Sequence, residues 1–407
     1  MSQVTVTGAA VRRVGIAGLL AVLAMLALHV AGARADGPGS GTPWVASVGD
    51  SYISGEAGRW AGSSNESSSW VDALGSTAYY DNATNSAETI SGCHRSKSAE
   101  VHIGGGINSV NLACSGAKTY TSDGSDFKPG LDFYSNGSKQ GQALALQGFA
   151  ASHNVKMIAL SIGGNDFNFA SIVQSCVTDW LTSPTWWKDY CYDDSSVKAN
   201  FTSTAVANNT AAIRGAILNI RQAMLNAGYS DSMYTILVQD YESPIPGGSG
   251  FRYSESGWSR QDTGGCGFWN RDADWANNSA LPTINNAVKN GAAQTGLGNI
   301  RILELSSAFN GRRLCENTVG LLEEKGLTSW TQAGAVDKTE WINQIRTVST
   351  VFGPYQIQES LHPNYWGQLA LRSCVRQAYN GGAPRGGTCR IASTGLTSRG
   401  EPNMTLQ

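Results

Sequence analysis

The stretch Trp44-Val45-Ala46-Ser47-Val48-Gly49-Asp50-Ser51 decides the fold. A short apolar run that stops abruptly at Gly-Asp-Ser reads as a buried strand feeding a tight turn. Similar runs recur at Val155 to Ile162, which ends in Gly163-Gly164-Asn165-Asp166, at Tyr234 to Val238 and at Ile300 to Leu305. Helical patterns separate them. Within Val206 to Ala227, Ile213, Ile217, Ile220 and Met224 recur at spacings of four, three and four, which is one helix face. Leu281 to Ala293 and Asn364 to Tyr379 are further helix candidates. Strands alternating with helices predict an α/β chain, with a central parallel sheet covered by helices on both faces.

Four stretches, roughly 118–142, 166–205, 241–279 and 306–358, are rich in Ser, Gly, Asn and aromatic residues and read as long loop insertions around one domain over 36–407. No internal repeat is visible. The chain has 407 residues, 41% hydrophobic and 15% charged, with a formal net charge of -2. That composition excludes intrinsic disorder, and the absence of basic runs argues against a nucleic-acid partner.

Residues 1–35 have the layout of a secretory signal peptide. Arg12-Arg13 is followed by an apolar and small-residue run to about Val30, then by Ala33-Arg34-Ala35 before Asp36. Its removal leaves 26 basic and 31 acidic residues, a net charge of -5. No later stretch approaches the length of a membrane-spanning helix. The expected product is secreted and monomeric. All eight cysteines remain: Cys93, Cys114, Cys176, Cys191, Cys266, Cys315, Cys374 and Cys389. An even count in an exported chain reads as disulfides, and sequential pairing is expected because each successive pair brackets one segment. No C-x-x-C and no zinc-finger histidine spacing occurs, so no metal is expected.

Candidate chemistry begins with the scarce residue. Beyond residue 35 the histidines are His94, His102, His153 and His362. Only His362 has a telling neighbourhood, Glu359-Ser360-Leu361-His362-Pro363-Asn364, where a carboxylate three residues upstream can turn back onto the ring. Ser51 follows the first strand at the carboxyl end of the sheet, where α/β sites lie; a helix-capping serine fits the same pattern. Asn165 after the second apolar run can aim an amide N–H at a developing oxyanion, although Gly-Gly-Asn also suits a plain turn. Gly116, in Ala113-Cys114-Ser115-Gly116-Ala117, can offer a backbone N–H, or lie in a simple tethered loop. No G-x-S-x-G occurs, so the α/β-hydrolase elbow is not supported.

Taken in order, Gly49-Asp50-Ser51, Gly116, Gly164-Asn165-Asp166 and Glu359-x-x-His362-Pro363-Asn364 resemble the four blocks of the SGNH (GDSL-type) hydrolase superfamily. The resemblance spans about residues 44–379. Cys93-His94-Arg95-Ser96 and Cys114-Ser115-Gly116-Ala117 look closest to its secreted actinobacterial esterases and lipases. It implies a three-layer α/β/α, flavodoxin-like sandwich and a serine carboxylic-ester hydrolase that needs no cofactor. Ser51 would be the nucleophile and His362 the general base. The Ser51 and Gly116 backbone N–H groups and the Asn165 side chain would form the oxyanion hole. Glu359 stands where the family usually has aspartate and is the expected orienting group, with the Ser360 carbonyl as the alternative. The substrate would be an ester of a lipid or of an acylated glycan, and transfer to an acceptor other than water is a further possibility. Trp180, Trp186 and Trp187, between Cys176 and Cys191, either meet the substrate or pack the insertion down, and Trp258, Trp269 and Trp275 around Cys266 invite the same two readings. Arg312-Arg313 is expected to be a salt-bridged surface.

Overall fold

The computed structural model describes residues 36–346 and 357–407. The expected signal segment and the end of the 306–358 insertion lie outside the described residues.

The principal elements are β1 (Pro43–Gly49), α1 (Ser51–Ser54), β2 (Asn108–Asn111), α2 (Gln142–Ala150), β3 (Asn154–Ser161), α3 (Phe169–Thr182), α4 (Ser203–Asn226), β4 (Thr235–Gln239), α5 (Leu281–Ala293), β5 (Ile300–Glu304), α6 (Tyr365–Tyr379), β6 (Gly387–Leu396) and β7 (Pro402–Leu406). One seven-stranded sheet runs in the order β7-β6-β5-β4-β3-β1-β2. Its neighbours are parallel from β2 through β6. The edge is not: β6 and β7 form an antiparallel hairpin. The central sheet is therefore parallel, as expected from the sequence, and one antiparallel edge strand makes it mixed.

Strand alternation sorts the core onto two faces. Val48, Ile158, Leu160, Ile236 and Val238 pack with Leu146 of α2, Ile213, Ile217 and Ile220 of α4, and Ile284 and Val288 of α5. Val45, Met157, Leu237 and Leu303 point the other way, toward Leu369 and Val375 of α6 and toward the insertions carrying Phe268, Phe309 and Trp341. Burying each Ile or Leu contributes about 1.5–3 kcal/mol, so the α4 face foreseen from its spacing is a major anchor of the first layer. The helix begins at Thr202, whose hydroxyl accepts from Ala205 N–H. Asn364 caps α6 in the same way, accepting from Trp366 and Gly367 N–H.

The four disulfides are Cys93–Cys114, Cys176–Cys191, Cys266–Cys315 and Cys374–Cys389. They are sequential, and all but the last clamp loops on the side of the sheet where the strands end. Among the described residues, no helix is long and apolar enough to cross a membrane.

Candidate active site

The carboxyl ends of β1 and β3 build the site. Gly49 has φ +134°, and a Cβ there would lie 1.9 Å from the Ser161 carbonyl oxygen, so only glycine lets the two strands approach. Gln142 locks the turn, accepting from Gly49 N–H at 2.6 Å and donating to its carbonyl at 2.8 Å. Asp50, not Ser51, caps α1, accepting from Tyr52 N–H at 3.2 Å. It also accepts from the Tyr241 hydroxyl, which itself accepts from Gly164 N–H at 2.8 Å. Burial, opposed by the Tyr241 and Tyr52 hydrogen bonds, pushes the Asp50 carboxyl up to about 7. Asp50 thus braces the turn from below and leaves Ser51 as the first helical residue.

The Ser51 side of the cleft is sheltered, with the residue 6% exposed. Its Oγ lies 2.7 Å from His362 Nε2, although 311 residues separate them in sequence. On the other side of the ring, Nδ1 lies 2.9 Å from the carbonyl oxygen of Ser360. Leu361 takes a left-handed φ of 63° to make that turn, and the Tyr52 hydroxyl donates to its carbonyl at 3.1 Å. The Tyr52 ring packs beside the imidazole at 5.0 Å between centroids. Burial holds His362 below its ordinary pKa despite the opposing Glu56 charge and Ser360 carbonyl, so the ring is a neutral acceptor near pH 7.

Glu359 does not occupy the place expected for it. Its carboxylate accepts from Trp60 Nε1 at 2.9 Å and from the Tyr79 hydroxyl at 2.5 Å. Those two buried donors come from a distant loop and draw the carboxylate away, while the left-handed Leu361 brings the Ser360 carbonyl to the ring. The alternative orienting group is the one observed beside Nδ1.

Gly116 has φ +80°, a conformation that favours glycine. The Cys93–Cys114 disulfide and the hydrogen bonds from Ser115 N–H to Cys93 (3.0 Å) and from Cys114 N–H to Gly49 (3.1 Å) tie its loop to the serine turn. Asn165 Nδ2 donates to the Ala117 carbonyl at 2.9 Å, which fixes the amide plane and leaves its second hydrogen available. Asp166 accepts from Thr119 N–H and, at 2.6 Å, from its hydroxyl, joining the asparagine and glycine loops. Ser51, Gly116, Asn165 and His362 all border one cleft of about 840 Å³.

The rest of that cleft is mostly apolar. Phe169, Ile172, Val173, Val177 and Leu181 of α3 form one wall, and Phe201, Ile245, Phe268, Trp275 and Ile345 contribute others. Of the tryptophans singled out in the sequence, Trp275 borders it. Trp180 is buried against Trp258 and Trp269, whereas Trp186 and Trp187 are 84% and 73% exposed. The sequence reading missed α3 as the main wall of the cleft. The apolar residues at 169, 172, 173, 176, 177, 180 and 181 carry a helical spacing that signals it. It also gave no role to Glu56, which pairs with His94 at 2.7 Å. Arg312 and Arg313 are ion-paired with Asp337 and Glu316. Among the described residues, no group of three or more His, Cys, Asp or Glu side chains is arranged to hold a metal ion.

No protein-family model matches the sequence, and no curated protein matches it. Solved structures similar to the chain include an extracellular lipase and a phospholipase A1. The extracellular lipase of Streptomyces rimosus is 19% identical with a TM-score of 0.43, covering 81% of this chain and 95% of that one. Phospholipase A1 of Streptomyces albidoflavus NA297 is 20% identical with a TM-score of 0.41, again over 81% of this chain and 95% of that one.

Proposed function

We propose that the chain is a secreted serine hydrolase of carboxylic esters, of the SGNH type, acting on lipid esters. The observation that carries the reading is the 2.7 Å contact between Ser51 Oγ and His362 Nε2 at the head of an apolar cleft. In this reading His362 takes the Ser51 proton as Oγ attacks the ester carbonyl. The Ser360 carbonyl keeps the proton of the neutral ring on Nδ1, so Nε2 is free to accept. The Ser51 and Gly116 backbone N–H groups and the second Asn165 amide hydrogen stabilise the tetrahedral oxyanion. His362 returns the proton to the leaving alcohol, and water then cleaves the Ser51 acyl-enzyme by the same route.

The cleft wall favours long acyl chains over acetyl. From Phe169 to Leu181 the α3 wall runs about 18 Å, and Phe169, Ile172, Val173, Val177 and Leu181 offer an acyl tail apolar contact, with Gln174 and Thr178 the polar residues of that wall. Four disulfides fit an oxidising compartment, and residues 36–407 are taken as one monomeric catalytic domain.

The test is hydrolysis of p-nitrophenyl esters from acetate to palmitate by purified protein, beside Ser51→Ala and His362→Ala. The expected result is loss of activity in both variants, with kcat/KM rising from acetate to the longer chains. Undiminished hydrolysis by Ser51→Ala contradicts the mechanism, and a preference confined to acetate contradicts the lipid assignment.

A further inference from the structure

The Ser51–His362 pair has a carbonyl, not a carboxylate, on the far nitrogen of the ring. Proton transfer from serine nonetheless places a positive charge on that ring, and a nearby anion stabilises it. One buried carboxylate on a different element acts on the ring through its charge. Glu56, just beyond α1, is fully buried. Its carboxylate accepts from His94 Nδ1 at 2.7 and 3.0 Å, from Gln358 Nε2 at 3.2 Å and from the Ser115 hydroxyl. Gln358 Nε2 also donates to Ser115 Oγ at 3.0 Å. Gln358 lies four residues before His362, and Ser115 adjoins Gly116. The carboxylate therefore joins the loop of the base to the loop of the oxyanion donor.

His94 is built for the contact. It has a left-handed φ of 46°, and its ring stacks on Tyr79 with centroids 4.5 Å apart. Nε2 lies 3.5 Å from Glu88. The Tyr79 hydroxyl donates to Glu359 at 2.5 Å, so that carboxylate also adds its field to His94. A histidine with this much negative charge around it is worth its strained backbone only if the charge is needed.

We infer that Glu56, gripped by His94, is a positioning residue for ester hydrolysis, supplying the anion that compensates the His362 imidazolium and fixing Gln358 and Ser115 around the reacting centre. The inference rests on the serine–histidine reading of the site. The charged groups that face His94 are Glu56, Glu88 and Glu359, and those that face His362 are Glu56 and His94. Residues 347–356 contain no Asp, Glu, Lys, Arg or His.

Burial pushes the Glu56 carboxyl up, but the hydrogen bond and charge of His94 outweigh it and hold the group below its usual range. Burial pushes His94 down, but Glu56, then Glu88 and Glu359, outweigh it and hold the ring above its usual range. The pair is thus biased toward carboxylate and imidazolium. The Glu56 charge raises the pKa of His362 and the His94 charge lowers it, so removing each moves the base in opposite directions.

The test is the pH profile of kcat/KM on p-nitrophenyl butyrate for wild type, Glu56→Gln, His94→Gln and Gln358→Leu, each shown to be folded by circular dichroism. Glu56→Gln is expected to lower kcat about tenfold, the equivalent of one pK unit of lost charge interaction, with KM unchanged and the acidic limb moved to lower pH. His94→Gln is expected to move that limb to higher pH. Gln358→Leu, which keeps both charges, lowers kcat and leaves the limb in place. If Glu56→Gln does not fold, the His94→Gln limb decides alone. Limbs that stay fixed, or that move the same way in both charge variants, overturn the inference while Ser51-dependent activity keeps the parent reading. Wild-type activity that survives Ser51→Ala overturns both.

Discussion

Asn165 spends one amide hydrogen on the Ala117 carbonyl and keeps the other for the cleft. Replacing it by alanine therefore removes a donor without disturbing a core side chain. Asn165→Ala is expected to lower kcat about 10²–10³-fold, with KM nearly unchanged, by steady-state kinetics on a soluble ester. Glu359 gives the opposite expectation. Its carboxylate serves Trp60 and Tyr79 and not the ring, so Glu359→Gln should keep kcat within about tenfold of wild type. It should instead lower the unfolding free energy by about 1–3 kcal/mol, since charge-assisted buried hydrogen bonds weaken. A loss of kcat near the 10⁴-fold that follows neutralising a triad aspartate would return Glu359 to the orienting role. The positions of Ser51, Gly116, Asn165 and His362 were legible because each sits in a short Gly- or Pro-punctuated motif after an apolar run. Glu359 was misread because a spacing of three residues does not say which way a carboxylate turns. The turn is set by the φ of Leu361 and by donors nearly three hundred residues away.

The helices and strands that carry uninterrupted apolar spacing, such as β3 and α4, were readable from sequence and form the sheet and one layer. Others, among them β2, α2, α3 and the β6–β7 hairpin, were not. Helix α3 lies inside a stretch set aside as an insertion, because its Ser, Gln, Thr and Asp residues dilute the apolar stripe that faces the cleft. The β6–β7 hairpin was passed over because an edge strand half-exposed to solvent carries polar residues at most positions. The misassigned helix is the one that matters for chemistry. Val173 faces the cleft from its middle, so Val173→Trp should block the acyl channel while leaving the head of the cleft open. The expected outcome is a fall of at least tenfold in kcat/KM on palmitate esters, at least the scale of a one-methylene misfit in an apolar pocket. Acetate esters should be hydrolysed as before. Equal losses on both would place the acyl chain elsewhere.

Across the whole molecule, several carboxyls are buried. Burial raises Asp50 to about 7, Glu100 to about 8 and Asp272 to about 7. An acid whose folded pKa exceeds its unfolded one holds its proton longer in the native state. Each such group therefore costs no stability below about pH 4, where both states are protonated. Each erodes stability as pH rises from the unfolded value toward the folded one. For Glu100 that window runs from the ordinary 4.5 to about 8. Glu100 is fully buried and accepts from Gln239 Nε2 at 2.5 Å. Glu100→Gln should remove its share of the decline, so the variant gains stability relative to wild type between pH 5 and pH 8 in chemical denaturation. A difference between the two proteins that does not change with pH would contradict the assignment of that window.

The central claim is that Ser51, activated by His362, attacks an acyl carbon at the head of an apolar cleft. The most direct measurement is mass spectrometry of the protein after reaction with a long-chain alkyl phosphonate p-nitrophenyl ester, followed by mapping of the labelled peptide. One adduct per chain on Ser51, absent from Ser51→Ala and formed far more slowly in His362→Ala, is the result this account requires. An adduct on another residue, or none in a protein that still cleaves esters, would contradict it.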